Sequence, residues 1–238
     1  MAEVSAWQHS LPRPDDCRAA WRPAPAGRAW QPGWSSDLPI LRSEPTPLPE
    51  RRSGNVSVTP LAIEGPLLVE VRRFGDHRGF FMETHSQRDF EAVGIAERFV
   101  QDNHSRSAAV GTLRGMHFQL PPHAQAKLVR VLRGRILDVV VDLRRASATF
   151  GRHVACELSG DTGEQFFVPA GFAHGFVTLE PDTEVAYKVT DYYAPECDRG
   201  LAWDDPELAL PWPALPGGPV LSDKDRHHPR LRDLSASF

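Results

Sequence analysis

The sequence predicts an all-β domain, either a sandwich or a barrel, with a few short helices at its edge. From Val56 onward, short runs of β-branched and aromatic residues are separated by glycine and proline. These turn signals recur about every 8 to 12 residues, a spacing typical of sandwiches and barrels. Very little of the chain shows the spacing of apolar residues that a helix needs.

The first half of the domain begins with two strands and one helix. Residues 67–71 and 80–84 are predicted strands, and the glycine-containing segment 74–79 is the turn between them. Residues 87–98 place apolar side chains at helical spacing, which predicts a short helix that Gly94 weakens.

The second half is predicted to be strands almost throughout. The sheet resumes at 99–103, and residues 127–132 and 136–143 form a hairpin around the turn Arg133-Gly134. Residues 221–234 are predicted to form a short terminal helix packed on the outside. The further predicted strands are 153–158, 165–168, 175–179 and 184–190.

Residues 1–54 differ from the rest of the chain, and we assign residues 55–238 to the folded domain. This leader contains many prolines and four tryptophans, without a persistent apolar period. Because proline lacks the donor that helices and central strands need, we expect a disordered or loosely attached segment. Two alternatives stay open: the tryptophans dock a partner, or translation begins near Val56, although the next methionine is Met82.

Composition excludes several classes of protein. The formal charge of -4 over 238 residues argues against nucleic acid or an anionic membrane as the partner. Cys17, Cys156 and Cys197 are widely spaced and form no CxxC pair, so they predict neither a disulfide framework nor a zinc site. The chain has no apolar run long enough to span a membrane and no apparent signal peptide. We expect a cytoplasmic protein.

Polar side chains are concentrated between Gly111 and Lys127. This stretch reads GTLRGMHFQLPPHAQAK and combines one base, two cations and two amides on a strand and its loop. Such a set favours a polar pocket for an anionic or carbonyl ligand; the alternative is a solvated hairpin. The residues concerned are Arg114, His117, Gln119, Gln125 and Lys127.

Residues 163–178 read G-x5-P-x-G-x2-H-x3-T, which is similar to the second signature of the cupin family. Cupins are small jelly-roll barrels, also called double-stranded β-helices, so the resemblance implies that barrel. The first cupin signature is incomplete, because Gln119 replaces its second histidine and no glutamate follows at the right distance. A metal cupin uses three histidines and a carboxylate. We therefore expect a cupin barrel that holds no metal.

The pocket residues suit the removal of a proton next to a carbonyl group. An imidazole such as His117 or His174 is a natural base near neutral pH. A neighbouring cation stabilises the enolate oxygen that develops, and Tyr187 can return a proton from the opposite face. The plainer interpretation is that both histidines are buried and only satisfy hydrogen bonds.

Nine sequence blocks resemble the dTDP-4-dehydrorhamnose 3,5-epimerase family, the cofactor-free sugar-nucleotide cupins, from about Gly65 to Pro229. Their order and spacing make the resemblance specific. The blocks are FGDHRGFFME (74–83), QDNHS (101–105), LRGMHFQ (113–119), QAKLVR (125–130), TFG (149–151), PAGFAHGF (169–176), YKVTDYYAPE (187–196), WDDP (203–206) and LSDKD (221–225).

The resemblance implies a role for each matching residue. His117 matches the general base, Asp225 the carboxylate paired with it, and Tyr187 the general acid. Lys127 and Arg114 match cations near the ketone oxygen and the phosphates. The remaining matches line the sugar and nucleotide site: Arg78, Glu83, Gln101, Asn103, His174 and Tyr193. The family also implies a homodimer that exchanges its first strands, so that Arg78 and Glu83 serve the neighbouring subunit.

The activity implied is epimerisation of dTDP-4-dehydro-6-deoxy-D-glucose at C3 and C5, giving dTDP-4-dehydro-L-rhamnose without a cofactor. Three rivals stay open at this point. One is a relative from secondary metabolism that inverts only C3 or only C5. Another is a metal-dependent cupin oxygenase or isomerase, against which Gln119 speaks. The third is a sugar-nucleotide binding module without activity.

Overall fold

The computed structural model describes residues 50–235 and residue 238, and the statements below concern these residues. The predicted leader lies outside them as far as residue 49, so its disorder, its docking tryptophans and the later start stay predictions. Arg51–Ser53 forms a strand that pairs with Val56–Pro60. The ordered sheet therefore begins before the boundary placed at residue 54.

The regular secondary structure of the described residues is almost all β-strand, with one short helix and one terminal 3-10 turn. The helix α1 covers Gln87–Ala92, and the 3-10 turn covers Leu231–Asp233. The strands in chain order are β1 (Arg51–Ser53), β2 (Val56–Pro60), β3 (Leu67–Val71), β4 (Phe74–Asp76), β5 (Gly79–Phe81), β6 (Gln101–Ser107), β7 (Leu113–Gln119), β8 (Lys127–Arg133), β9 (Arg135–Asp142), β10 (His153–Ser159), β11 (Gln165–Val168), β12 (Phe172–Thr178), β13 (Thr183–Val189) and β14 (Asp198–Gly200).

Two large antiparallel sheets make up the domain. In the part of the chain that the structure describes, one has the strand order β1-β2-β3-β11-β8-β13-β6 and the other β10-β9-β12-β7-β14. The strands β4 and β5 form a separate two-stranded arm. No described helix is long and apolar enough to cross a lipid bilayer. The predicted all-β jelly-roll class is confirmed.

The main core lies between the two sheets. Val129 and Val185 of the larger sheet pack in one cluster with Ile136, Val140 and Phe176 of the smaller sheet. These side chains alternate with residues on the opposite face of each strand, as the pleat requires. Burial of one face of each sheet therefore fixes which residues of β7, β8 and β13 can reach the space between them.

Each sheet also has an outer cluster. Phe90 of α1 packs with Val58 and Val69 on the larger sheet. On the smaller sheet, Met116 packs with Leu201 and other residues of the C-terminal segment. That segment consequently lies against β7, the strand richest in candidate site residues.

The predicted hairpin over 127–143 is wrong, although both of its strands exist. Strand β8 lies between β11 and β13, whereas β9 lies between β10 and β12 in the other sheet. Gly134 has φ of 79°, so the turn is real, but it carries the chain from one sheet to the other. A turn residue reports a change of direction and does not identify the strand's partner.

Two predicted helices are also corrected. The helix predicted for 87–98 ends at Ala92, before Gly94, whose φ of 92° is outside the helical region. Residues 221–234 form turns, with only the 3-10 turn at Leu231–Asp233. Asp205 accepts the amide of Leu231 at 2.8 Å, so a tertiary contact replaces the expected helical hydrogen bond.

Strands β7 and β12 approach each other unusually closely at two glycines. A Cβ built on Gly115 would collide with the backbone of Gly175, and the φ of Gly115 is 140°. The pairing register shifts at this point, between His174 and Phe176. Glycine is required here, and its neighbours His117 and His174 are brought opposite each other across the two strands.

Candidate active site

A pocket of about 430 Å³ lies between strands of the two sheets. The larger sheet contributes β6, β8 and β13, and the smaller sheet contributes β7 and β14. Six of the predicted site residues line it: Gln101, Asn103, His117, Lys127, Tyr187 and Tyr193. The polar stretch of the sequence therefore faces a cavity, as the pocket interpretation predicts, and is not a solvated hairpin.

His117 is held by a carboxylate from the far end of the chain. Its Nε2 lies 2.6 Å from Oδ1 of Asp225, and the Asp225 side chain is only 5% exposed. A carboxylate on Nε2 stabilises the tautomer that carries a proton there, so the lone pair of a neutral ring lies on Nδ1. The His117 side chain itself is 33% exposed, so the ring is accessible from the pocket.

In this pair His117 is a neutral imidazole and Asp225 is an ionised carboxylate. Burial lowers the pKa of His117 below its ordinary 6.5, and the nearby cations Lys127 and Lys224 act in the same direction, while Asp225 opposes them. Burial alone raises the pKa of Asp225, but the neighbouring side chains of His117, His228 and Ser222 together outweigh that effect and hold the pKa well below its usual range. At neutral pH His117 is therefore unprotonated and able to accept a proton.

A second histidine lies beside the same carboxylate. Nε2 of His228 is 3.5 Å from Oδ1 of Asp225, and the two imidazole rings stand edge to face with centroids 5.6 Å apart. The donor atoms of His117, Asp225 and His228 all lie within 4.8 Å of one another. Sequence reasoning missed His228, because nothing in its local sequence indicates a contact with β7.

Lys127 is a buried cation next to the base. Its side chain is about nine-tenths buried, and Nζ donates to the carbonyl oxygen of His117 at 3.1 Å. Burial lowers the pKa of Lys127 from 10.5 to about 8, although Asp138 and Asp198 oppose the shift. The ammonium form predominates at pH 7 and is weakly hydrated, which makes it an effective partner for a developing negative charge.

Tyr187 contributes a phenol to the same pocket. It lies on β13, opposite Asn103 of β6 and Val129 of β8. Burial raises the pKa of Tyr187 above its ordinary 10, so the phenol keeps its proton at neutral pH. It is therefore available as a proton donor.

His174 is buried and does not line the pocket. Its Nε2 is 2.8 Å from Oδ1 of Asp138, and both side chains are buried. Burial raises the pKa of Asp138, while the charges of His174 and Lys127 lower it. The charge of Asp138 in turn raises the pKa of Lys127 and so favours the ammonium form of that side chain. The buried-histidine interpretation fits His174 better than it fits His117.

Three further predicted residues do not line this pocket within one chain. Arg114 is exposed and donates to Oγ of Ser107 at 3.1 Å. Arg78 and Glu83 are exposed on or just after the β4–β5 arm, and Arg78 is paired with Asp76. The structure thus separates the arm from the pocket of its own chain.

Polar residues at the mouth form a second group. Gln101 donates to Asn103 at 3.0 Å, and its Oε1 accepts the amide of Tyr193 at 3.3 Å. The phenol of Tyr193 donates to Asp198 at 3.2 Å, and Lys224 forms an ion pair with Asp198. The ring of Tyr193 is well exposed, so a planar ligand can stack on it.

Gln119 has a structural role. Its Nε2 donates to the carbonyl oxygens of His123 and Tyr192 at 2.7 and 3.1 Å, and its Oε1 accepts the amide of Ala194 at 2.8 Å. It therefore occupies the position of a cupin metal ligand but ties two loops together instead.

Several lining residues were missed by sequence reasoning. Asp198 follows no recognisable motif, and Phe118 was not given a role although it is in a matching block, whereas Gln125 of the polar stretch lines the pocket as predicted. Lys224 could have been found, because it directly precedes Asp225 in the block LSDKD. The sequence does not show that this block lies close to β7, so Lys224 was not assigned to the pocket.

The arrangement places a neutral base, a desolvated cation and a protonated phenol around one cavity. Such a set can remove a proton next to a carbonyl group and replace it from another direction. The surrounding amides, the exposed Tyr193 ring and Lys224 can hold a polar, anionic substrate.

Comparison with known proteins agrees with this chemistry. A family model described as dTDP-4-dehydrorhamnose 3,5-epimerase matches residues 60–233. A dTDP-4-dehydrorhamnose 3,5-epimerase of Pseudomonas aeruginosa is 52% identical over 179 residues, which cover 75% of this chain and 97% of that protein.

Two solved structures extend the comparison. A Bacillus anthracis dTDP-4-dehydrorhamnose 3,5-epimerase with TDP and pyrophosphate bound is 49% identical, with a TM-score of 0.71, covering 74% of this chain and 99% of that one. A Legionella pneumophila dTDP-6-deoxy-D-glucose-3,5-epimerase in complex with dTDP-4-keto-L-rhamnose is 44% identical, with a TM-score of 0.72, covering 76% and 95% of the two chains.

Proposed function

The chain belongs to the dTDP-4-dehydrorhamnose 3,5-epimerase family, and we propose that it epimerises dTDP-4-dehydro-6-deoxy-D-glucose at C3 and C5. The product is dTDP-4-dehydro-L-rhamnose, an intermediate of dTDP-L-rhamnose biosynthesis. The observation that carries the proposal is the contact of His117 with buried Asp225 in a pocket that Lys127 and Tyr187 also line.

His117 is the base in this mechanism. The protons at C3 and C5 are both next to the C4 ketone, so their removal gives an enolate. Nδ1 of His117 accepts the first proton and releases it to water before it accepts the second, and the ionised Asp225 stabilises each imidazolium that forms. The buried carboxylate remains a hydrogen-bond acceptor throughout, so it does not compete for the proton.

Lys127 stabilises the enolate. Its ammonium group is fixed at the carbonyl of His117, close to the base, and is desolvated. A cation in such an environment interacts with negative charge more strongly than one in water, because its field is less screened. The ammonium group is therefore already in place when the proton leaves.

Tyr187 returns a proton to the opposite face of the sugar and regains one from water before the second inversion. Inversion requires a donor distinct from the base, and the phenol of Tyr187 keeps its proton because burial raises its pKa. Other residues bind the nucleotide. At the mouth, Tyr193 stacks on the base and Lys224 attracts the diphosphate, and the exposed Arg114 outside the pocket also attracts the diphosphate. No step requires a cofactor.

A second copy of this chain completes the site. Phe74, Phe80 and Phe81 of the β4–β5 arm are 40%, 59% and 68% exposed, an apolar surface that a partner would cover. Arg78 stands at the tip of the arm and away from its own pocket. We propose a homodimer in which the exchanged arms bring Arg78 and Glu83 to the partner's pocket.

The free thiols Cys156 and Cys197 suit a reducing cytoplasm.

The function is tested by proton NMR of dTDP-4-dehydro-6-deoxy-D-glucose with the enzyme in D2O, with EDTA throughout. We expect deuterium at both C3 and C5, because both protons are next to the ketone. The His117→Asn variant should exchange neither. The Tyr187→Phe variant should still exchange protons while inverting configuration about 100-fold more slowly, since the base survives and the donor is lost.

Other outcomes of the same NMR experiment separate the rivals. Deuterium at one carbon only would identify a single epimerase. No exchange with or without EDTA would leave a binding module, and exchange seen only when EDTA is omitted would indicate a metal-dependent enzyme. Equal loss of exchange and inversion in Tyr187→Phe would contradict the separate role of the phenol.

The alkaline limb of kcat/KM should follow Lys127. The ammonium form is present below a pKa of about 8 and is lost above it, so kcat/KM should fall about tenfold per pH unit beyond that point. The Lys127→Arg variant should be slower, but its fall should move to higher pH, because guanidinium stays charged. A pH profile of the two proteins measures this, and an unmoved limb would exclude Lys127 as its origin.

The exchange of arms predicts complementation between two inactive chains. Arg78→Ala and His117→Asn chains, each inactive alone, should regain roughly a quarter of wild-type activity when co-refolded at equal amounts. Half of the dimers are mixed, and one site in each mixed dimer combines a normal base with a normal partner arm. If Arg78 instead serves its own chain, mixing restores nothing.

A further inference from the structure

We propose that His117, Asp225 and His228 form a binding site for a divalent transition-metal ion such as Zn²⁺, and that the bound ion switches the catalytic base off. The metal site stands on the geometry of three side chains. Its effect on turnover rests on the proposed function, because only that function makes His117 the base.

The three donor atoms are already nearly close enough to share one ion. Nε2 of His117 lies 2.6 Å and Nε2 of His228 3.5 Å from Oδ1 of Asp225. One ligand atom from each of the three residues lies within 4.8 Å of the other two. Zinc binds imidazole nitrogen and carboxylate oxygen at about 2.0 to 2.2 Å, so side-chain movements on the order of 1 Å would complete the site.

His228 supplies the observation that points to a ligand. Its side chain is 9% exposed, and no described residue gives its buried Nε2 a hydrogen bond. A buried ring nitrogen without a partner is unusual, and this one is 3.5 Å from an ionised carboxylate. Gly200 makes room for the ring, because a Cβ there would collide with the imidazole of His228.

The donor set selects the kind of ion. Two imidazoles and one carboxylate suit Zn²⁺ and neighbouring transition metals, with water in the remaining position. Mg²⁺ and Ca²⁺ prefer oxygen ligands and have little affinity for imidazole. The proposed site therefore discriminates between these two groups of cations.

Metal binding would place the proton of His117 on the wrong nitrogen. A neutral imidazole has one N–H group, which Nε2 donates to Asp225 in the free enzyme. An ion on Nε2 takes the lone pair of that nitrogen, and the displaced proton moves through solvent to Nδ1. No proton is lost overall, but Nδ1 now carries hydrogen and cannot accept a proton from the substrate. The ion also neutralises the charge of Asp225.

The test is calorimetric titration of the metal-free protein with Zn²⁺, beside turnover measured at the same ion concentrations. We expect one ion per chain and loss of turnover along the same binding curve, with recovery on addition of EDTA. Mg²⁺ should neither bind nor inhibit. Turnover of each variant is expressed relative to its own metal-free rate, so an effect of the substitution on catalysis does not enter.

The His228→Gln variant should bind Zn²⁺ at least about tenfold more weakly and lose inhibition in the same proportion. His227→Gln is the matched control, because His227 is adjacent in sequence and exposed. Its Nδ1 lies 2.7 Å from the carbonyl oxygen of Asp223, and His227 is not one of the three proposed ligands. It should behave as wild type.

Three results would overturn the proposal: no binding, binding unaffected by His228→Gln, or binding at His228 that leaves turnover intact. The second would mean an adventitious ion only. If Zn²⁺ binds as expected but the metal-free protein does not exchange substrate protons, the metal site stands and the proposed function fails.

Discussion

The hydrogen bond between Asp225 and His117 is the interaction on which the site depends. It joins the C-terminal segment to β7, across 108 positions of sequence. A buried carboxylate is costly unless it is paired, and here the partner is the ring that it orients. One contact therefore fixes a tautomer, helps to keep the pKa of the aspartate low together with His228 and Ser222, and attaches the terminal segment beside the pocket.

The packing of the two sheets imposes the second constraint. It holds the site residues close together and largely away from water. The closely approaching glycines Gly115 and Gly175 bring β7 against β12, while β8 enters from the opposite sheet with Lys127. The ammonium group then donates to the carbonyl of His117, while the charge of buried Asp138, which is paired with His174, favours its protonated form. Burial lowers the pKa of Lys127 and of His117, and both shifts suit chemistry at neutral pH.

Local sequence predicted the strands and most of the lining residues, because alternation and motif blocks are local properties. It failed where the answer depends on distant parts of the chain. The turn at Gly134 was found, but the pairing of β8 and β9 was wrong, since a turn does not specify sheet membership. His228 and Asp198 were missed for the same reason: only tertiary structure brings His228 to His117 and Asp198 to Lys224.

The central claim is that Asp225 holds the proton of His117 on Nε2 and leaves Nδ1 free. The most direct measurement is a long-range ¹⁵N–¹H correlation spectrum of metal-free, histidine-labelled protein near pH 7.5, with the His117 signals assigned from the His117→Asn variant. The account predicts a protonated Nε2 and an unprotonated Nδ1, with this preference weakened in Asp225→Asn. A proton on Nδ1 in the wild-type protein would contradict it.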